Sequence, residues 1–229
     1  MKRIGILGGI SHESTAVYYQ RIHTAYFARR HDYDYPEVIV YSLNFQRFTD
    51  YEDRGEMAAY IDYILEGIVA LQRAGADFAL MAANSPHAVF PQVAERTTLP
   101  LLSIVEVTAK AAHARGFRRL LLLGIRFTMQ SHFYAEVCAR VGITVITPDT
   151  AEQEQINRII FEELVVGTFL PASRQALLDI IARYPVDGVI LGCTELPLLL
   201  RAEDTATPLL DTLTLHVQAT VEQALANEG

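Results

Sequence analysis

The chain has little of what marks several large classes of protein. Two cysteines, Cys138 and Cys193, stand in 229 residues. That is too few for a disulfide framework, so a reduced, cytoplasmic setting is expected. No apolar run approaches the ~20 residues that cross a bilayer; runs such as 120–124 and 189–191 are strand-sized. The opening Met1-Lys2-Arg3-Ile4-Gly5 reads as passing straight into a strand, without an apolar leader and a small-residue cleavage site. There are 19 Lys and Arg against 27 Asp and Glu, a formal net charge of −8. The densest basic stretches are the pairs Arg29-Arg30 and Arg118-Arg119, which make no footprint for nucleic acid. The glycines at 5, 8 and 9 miss the GxGxxG spacing, and no Lys-Ser/Thr pair follows them. Ala16 stands where a zinc-binding HExxH motif begun by His12-Glu13 would need its second histidine. No nucleic acid, membrane, metal or cofactor is therefore expected as a partner.

What is present is an apolar chain, 51% hydrophobic and 20% charged, long enough to bury one sizeable core or two smaller ones. Short apolar runs at 3–7, 37–42, 77–82, 100–103, 118–123, 143–146, 186–191 and 208–210 alternate with helix-period segments. The runs are apolar at consecutive positions, which suits parallel strands covered on both faces. Among the helices, Met57, Ile61, Ile64, Leu65, Ile68 and Leu71 form one stripe ended by Gly75. Others run through Ile156, Ile159, Ile160 and Leu164, and through Ala176, Leu177, Ile180 and Ile181. The alternation predicts an α/β fold. The chain also repeats itself: segments 2–8, 38–42, 77–83 and 100–103 resemble 118–124, 143–147, 187–193 and 208–211, in the same order and at similar separations. The expectation is two pseudo-symmetric α/β/α domains with mainly parallel sheets. The first would comprise residues 1–100 plus 208–229 and the second residues 101–207, with an active site in the cleft between them. Ligands of parallel sheets sit beyond the carboxyl ends of the strands, which draws attention to Ala83 and Cys193.

Cys193 follows the run Val189-Ile190-Leu191-Gly192 and precedes Thr194-Glu195. A thiol at such a strand tip, before a helical turn, can have its thiolate stabilised by free backbone N–H groups; a buried structural thiol fits the position equally well. Cys138 reads as a helical core residue. The matching tip of the first half is Ala83-Asn84-Ser85-Pro86-His87. Asn84 and Ser85 there suit either a substrate carboxylate or a helix cap, and His87 either acid–base work or a structural contact. The turn Gly8-Gly9-Ile10-Ser11 offers Ser11 as a helix cap and a place for an anion.

Taken together, Gly5-Ile6-Leu7-Gly8-Gly9-Ile10-Ser11-His12-Glu13-Ser14-Thr15, Asn84-Ser85-Pro86-His87 and Gly192-Cys193-Thr194-Glu195-Leu196 resemble the opening and the two site motifs of the aspartate/glutamate racemases. Segments 123–129 and 156–164 look typical of the same family. The resemblance implies a pyridoxal-independent racemase, commonly a homodimer, which takes the α-proton from one face of an amino acid and returns one to the other, using two thiols. It implies a substrate site drawing on Ile10, Glu52, Asn84, Ser85, Gln155, Thr194 and Glu195 around Cys193. Ala83 occupies the first thiol position and has no proton to give. Three explanations stand open: a chain engineered at Ala83, a one-thiol member, or a first face served by His87, Ser85 or Glu52. Gln155 stands about where a Lys, and Glu52 where a Gln, is expected in members acting on acidic amino acids; Arg47, Arg54, Arg126 and Arg158 are the compensating cations available. The alternatives to a racemase are a single-cysteine decarboxylase or isomerase of a small carboxylic acid, similar to arylmalonate decarboxylase, and an inactive carboxylate-binding protein.

Overall fold

The eight apolar runs become eight strands, shared between two four-stranded parallel sheets. The computed structural model describes residues 1–226. The first unit contains β1 (Ile4–Gly8), α1 (His12–Arg30), β2 (Val38–Ser42), α2 (Phe45–Asp53), α3 (Met57–Arg73), β3 (Phe78–Met81), a 3-10 turn (Ser85–Val89), α4 (Phe90–Glu95) and β4 (Leu101–Leu102). Helix α5 (Ile104–Ala114) leads into the second, with β5 (Arg119–Leu123), α6 (Arg126–Gln130), α7 (Phe133–Ala139), β6 (Thr144–Ile146), α8 (Thr150–Glu162), α9 (Pro171–Ala182), β7 (Gly188–Leu191), α10 (Leu196–Leu199) and β8 (Leu209–Asp211). Helix α11 (Thr212–Leu225) closes the chain.

The sheets have the same topology, β2-β1-β3-β4 and β6-β5-β7-β8, and matching registers. Ile4 faces Val38 and Phe78, while Leu120 faces Val145 and Gly188; Ala79 faces Leu101, while Val189 faces Leu209. Residues 1–104, with 216 onward, form one compact unit, and 105–215 the other. Both expected boundaries are corrected by strand pairing. Leu101 and Leu102 belong to the first sheet because they hydrogen-bond to β3, and residues 209–211 to the second because they pair with β7. The expectation that every strand is covered on both faces also fails at the edges. The inner strands β1, β3 and β7 are buried throughout. By contrast β2, with one strand neighbour, leaves Val40 and Tyr41 exposed.

Close approaches fix the layers. A Cβ on Gly67 of α3 would meet Leu7 Cδ1 of β1 at 2.2 Å, so only glycine lets that helix lie directly on the strand. A Cβ on Gly8 would meet Thr15 Cγ2 at 2.3 Å and Oγ1 at 2.5 Å. The Thr15 hydroxyl accepts from the Gly9 N–H (2.9 Å) and donates to the Ser11 carbonyl (2.8 Å). This clasp, with Ser11 capping α1 by accepting from the Ser14 N–H, holds the turn after β1. In the second unit α8 starts on a capping box between Asp149 and Glu152.

Two buried histidines pin the first unit. His216 lies wholly inside, its Nε2–H donating to the Leu102 carbonyl (3.1 Å) and its Nδ1 accepting from the Tyr18 hydroxyl (2.9 Å). His87, 1% exposed, stacks on Phe90; its Nδ1–H donates to the Ala83 carbonyl (3.1 Å) and its Nε2 accepts from the Ile104 N–H (3.2 Å). Each ring is thereby held as one neutral tautomer. Burial pulls the pKa of His87 down to about 3 and that of His216 to about 4.

Two outcomes follow. Gly8→Ala should destabilise the fold by about 1–3 kcal/mol, the usual range for overpacking, and Thr15→Ala in the same chain should recover part of that loss; denaturant midpoints of the single and double variants measure both, and strictly additive effects would refute the clasp. Because both histidines bind protons more readily unfolded than folded, stability should be fully present above about pH 6.5 and fall as pH drops toward 4, by several kcal/mol. His216→Gln should flatten that fall, as read from urea midpoints at pH 7, 5.5 and 4.5.

Candidate active site

The carboxyl ends of the strands are where this fold gathers its polar chemistry. In the second unit β7 is apolar and buried up to Leu191, and the chain breaks away at Gly192, whose N–H donates to the Leu123 carbonyl (2.7 Å). A Cβ there would meet Leu122 Cδ1 at 2.8 Å and the Leu123 carbonyl oxygen at 2.9 Å, so glycine keeps the two strand tips in contact. Cys193 follows, 9% exposed. Its thiol donates to Glu195 Oε2 at 3.0 Å, and the Thr194 hydroxyl donates to the same oxygen at 2.8 Å.

The electrostatics of this thiol differ from expectation. Burial, the nearby Glu195 charge and the hydrogen bond to it push the Cys193 pKa well above the ordinary thiol value. The backbone N–H groups of Glu195 and Thr194 do favour the thiolate, but they are the smaller influence. The following helix α10 is a single turn, so little helix dipole is available to them. Cys193 is thus held as a protonated thiol that donates its hydrogen bond to the Glu195 carboxylate. Cys138, fully buried in α7, has no charged partner, and burial pushes it up to about 11; it is an inert core thiol.

In the first unit the equivalent tip follows β3. The registers make Ala83 the counterpart of Cys193, standing as far past Ala79 as Cys193 stands past Val189. Ala83 is 7% exposed, and Asn84 and Ser85 are buried beside it. Ser14 of α1 donates its hydroxyl to the Ala82 carbonyl (3.3 Å), tying the first turn of that helix to the tip. Glu52, half-buried at the end of α2, accepts from the Tyr60 hydroxyl (3.0 Å). Burial raises the Glu52 pKa, against the nearby Tyr60 and Ser85 hydroxyls, which lower it.

The residues singled out from sequence thus fall into separate groups. Cys193, Thr194 and Glu195 are joined, while Glu52 is bonded to Tyr60. Ile10 packs its side chain into the apolar cluster of the first unit. Gln155 lies half-buried on α8 in a surface groove with Glu154, Arg158 and Phe161. Of the four arginines, Arg47 stacks over Tyr63 (4.1 Å to the ring centre) and pairs with Glu66, Arg54 pairs with Asp50, and Arg126 pairs with Glu154. His87 has both ring nitrogens engaged and holds the tip rather than offering a free base. Sequence reasoning missed Tyr60. Its signal was a polar-tipped residue on the buried stripe of α3, one turn before Ile64. Among the described residues no group of three His, Cys, Asp or Glu side chains is placed to hold a metal ion.

Similar proteins identify the family. The profile of the Asp/Glu/hydantoin racemase family matches residues 7–220. A broad specificity amino-acid racemase of Bacillus subtilis (strain 168) is 28% identical over 232 residues, covering 99% of this chain and 100% of that one. A solved structure from Yersinia pestis aligns with a TM-score of 0.92 over 98% of this chain and 100% of that one, at 34% identity. An aspartate racemase homologue from Pyrococcus horikoshii OT3 aligns with a TM-score of 0.85, at 37% identity, over 98% and 99% of the two chains. With the family profile spanning nearly its whole length, the chain belongs to the Asp/Glu/hydantoin racemase family.

Proposed function

We propose that the protein interconverts the enantiomers of aspartate, glutamate or a related α-amino acid by cofactor-free proton transfer at the α-carbon, with Cys193 serving one face. Membership of its family makes the chain an amino-acid racemase, an isomerase. The observation that carries the thiol reading is the hydrogen bond from Cys193 to Glu195 at the tip of β7. An α-proton beside a carboxylate is very weakly acidic, so the group that moves it must be aligned and must not be exhausted by solvent. A thiol held protonated can deliver its proton to a carbanion. The adjacent carboxylate can take the proton back when the thiolate must act as base. Neither step draws on an outside cofactor.

Racemisation also needs donors for the carboxylate of the substrate, whose charge grows as the α-proton leaves. Asn84, Ser85 and Thr194 are the groups that the family resemblance assigns to that task. The substrate side chain is less constrained. Glu52 brings a carboxyl where a cation would suit an acidic side chain, Gln155 is neutral, and three of the four candidate arginines are engaged in other pairs, which argues for a substrate range wider than the acidic amino acids. A free thiol suits a reduced, cytoplasmic setting, and the family resemblance calls for a homodimer; sedimentation at micromolar concentration tests the latter, a purely monomeric species refuting it.

A second reading is favoured by Ala83 itself. With no proton on that side chain, a one-thiol enzyme would protonate a single face and release an optically pure product, as in a decarboxylase or isomerase of a small acid.

The test is α-proton exchange in heavy water, followed by NMR, on L- and D-forms of aspartate, glutamate, alanine, lysine and arginine. Exchange with inversion supports the racemase, exchange of one enantiomer with retention supports the one-thiol reading, and silence across the panel refutes both for amino acids. Cys193→Ser should slow exchange by about 10²–10⁴-fold, the usual worth of a positioned acid–base group; an unchanged rate would place the chemistry elsewhere. Ala83→Cys should raise the racemisation rate for at least one member of the panel, with melting temperature checked alongside because the site is buried. A folded variant with no gain for any amino acid would count against a catalytic position at residue 83.

A further inference from the structure

Away from the strand tips, the outer face of α1 carries side chains that its own fold does not use. The buried side of this helix is made by Ser14, Thr15, Tyr18, Ile22 and Tyr26, yet large rings also stand on the opposite side, where a solvated helix is polar. Tyr19 is 49% exposed, Phe27 37%, and Tyr33, in the loop after α1, 81%. The rings touch one another in a chain. Tyr19 meets His23 (4.5 Å between ring centres), His23 meets Tyr35 (5.2 Å), Tyr35 meets Tyr33 (6.2 Å) and Tyr33 meets Phe27 (5.8 Å). Tyr19, Gln20, His23, Thr24, Phe27 and Tyr35 line an open groove of about 530 Å³. A contiguous apolar patch of this kind marks an interaction surface. Rings that already hold one another lose little freedom when a partner arrives.

We propose that a second copy of this chain docks on this face, with the two α1 helices packed antiparallel about a twofold axis. The inference gives the homodimer a surface and does not rest on the racemase reading. The charges at the two ends of the face identify the occupant. Glu13, Ala16, Gln20, His23, Phe27 and Arg30 follow one another at intervals of three and four residues, so they form one stripe along the helix. All are exposed except His23, which is half-buried. The stripe begins on a carboxylate and ends on a guanidinium, while Arg29 is drawn aside to Glu222 of α11 (2.7 Å). A twofold axis reverses one stripe against the other, so the acidic end meets the basic end twice. An isologous contact requires this self-complementarity.

Setting Glu13 opposite Arg30 of the second copy fixes the rest of the register. Phe27 then lies over Ala16, Tyr19 over Thr24, and Gln20 beside His23. Each large ring meets a small side chain, the fit that lets two helices approach to about 8–10 Å. His23 Nδ1–H donates to the Tyr19 carbonyl (2.7 Å), so its Nε2 is an acceptor for the Gln20 amide across the axis. The size is sufficient. The stripe is about 25 Å long and the helix about 10 Å wide. With the Tyr33 and Tyr35 loop beside it, each copy would bury roughly 500 Å², or about 1,000 Å² in all, the least that a specific interface is expected to cover. The association should therefore be micromolar and reversible.

Sedimentation velocity of the whole chain from 1 to 100 µM tests the surface, with circular dichroism on the same samples to confirm that each variant is folded. Ala16→Arg changes an exposed helical residue to another good helix former, so it should leave the fold intact while weakening dimerisation 30-fold or more. Phe27→Asp should do the same. Glu13→Arg should weaken the dimer about tenfold, since the repulsion occurs twice, and Arg30→Glu added to it should restore most of that loss. Phe161→Asp removes an equally exposed ring from α8 of the second unit and should leave the association unchanged. A folded Ala16→Arg that dimerises within threefold of wild type would overturn the inference and move the contact to another face. A dimer dissolved by Phe161→Asp but not by Phe27→Asp would overturn it likewise. A wild type monomeric at 100 µM would overturn both this surface and the homodimer, whatever the outcome of the exchange experiments.

Discussion

The structure turns on a constraint of parallel sheets: their inner strands are apolar on both faces and can carry no chemistry until they end. From Ile4 to Leu7, Phe78 to Met81, Leu120 to Leu123 and Val189 to Leu191 nothing polar projects into the core. The polar side chains that matter appear within a few residues of the strand ends, where backbone N–H groups are also free. Glycines permit this abrupt change. Gly8 makes room for Thr15, and Gly192 lets the tip of β7 rest against that of β5. Repetition of one topology in two units then supplies two such tips.

The two tips have diverged in their parts while keeping one electrostatic device. In the second unit Cys193 gives its thiol hydrogen bond to Glu195, and in the first Tyr60 gives its hydroxyl to Glu52, each where burial disfavours a negative charge. His87 and His216 illustrate the opposite treatment. Burial and saturated hydrogen bonding fix them as neutral in any mild condition, and they act as struts.

The fold was largely legible because its signal is coarse. Consecutive apolar residues such as Val189-Ile190-Leu191 suffice to name a buried strand, and the order of four similar segments suffices to suggest a repeat. The domain boundaries were not, since Leu101-Leu102 and Leu209-Leu210 read alike and only hydrogen-bond pairing assigns each to its sheet. At the site, Cys193 and its neighbours were visible as a motif. The direction of its pKa was not, because a helix N-terminus and an adjacent glutamate push oppositely and only burial and distance decide between them. Tyr60 escaped for a related reason: its ring belongs to the apolar stripe of α3 while its hydroxyl belongs to Glu52, a double allegiance that periodicity cannot register.

The protonated state of Cys193 has a bearing on the durability of the molecule. Oxidants and alkylating agents attack thiolates that they can reach. A thiol that is nearly buried, shares its proton with Glu195 and ionises only well above neutral pH offers them little to attack. The environment that keeps Cys193 protonated therefore also shields its sulfur from peroxide and electrophiles, so that chemical ageing of the resting protein should begin elsewhere on its surface.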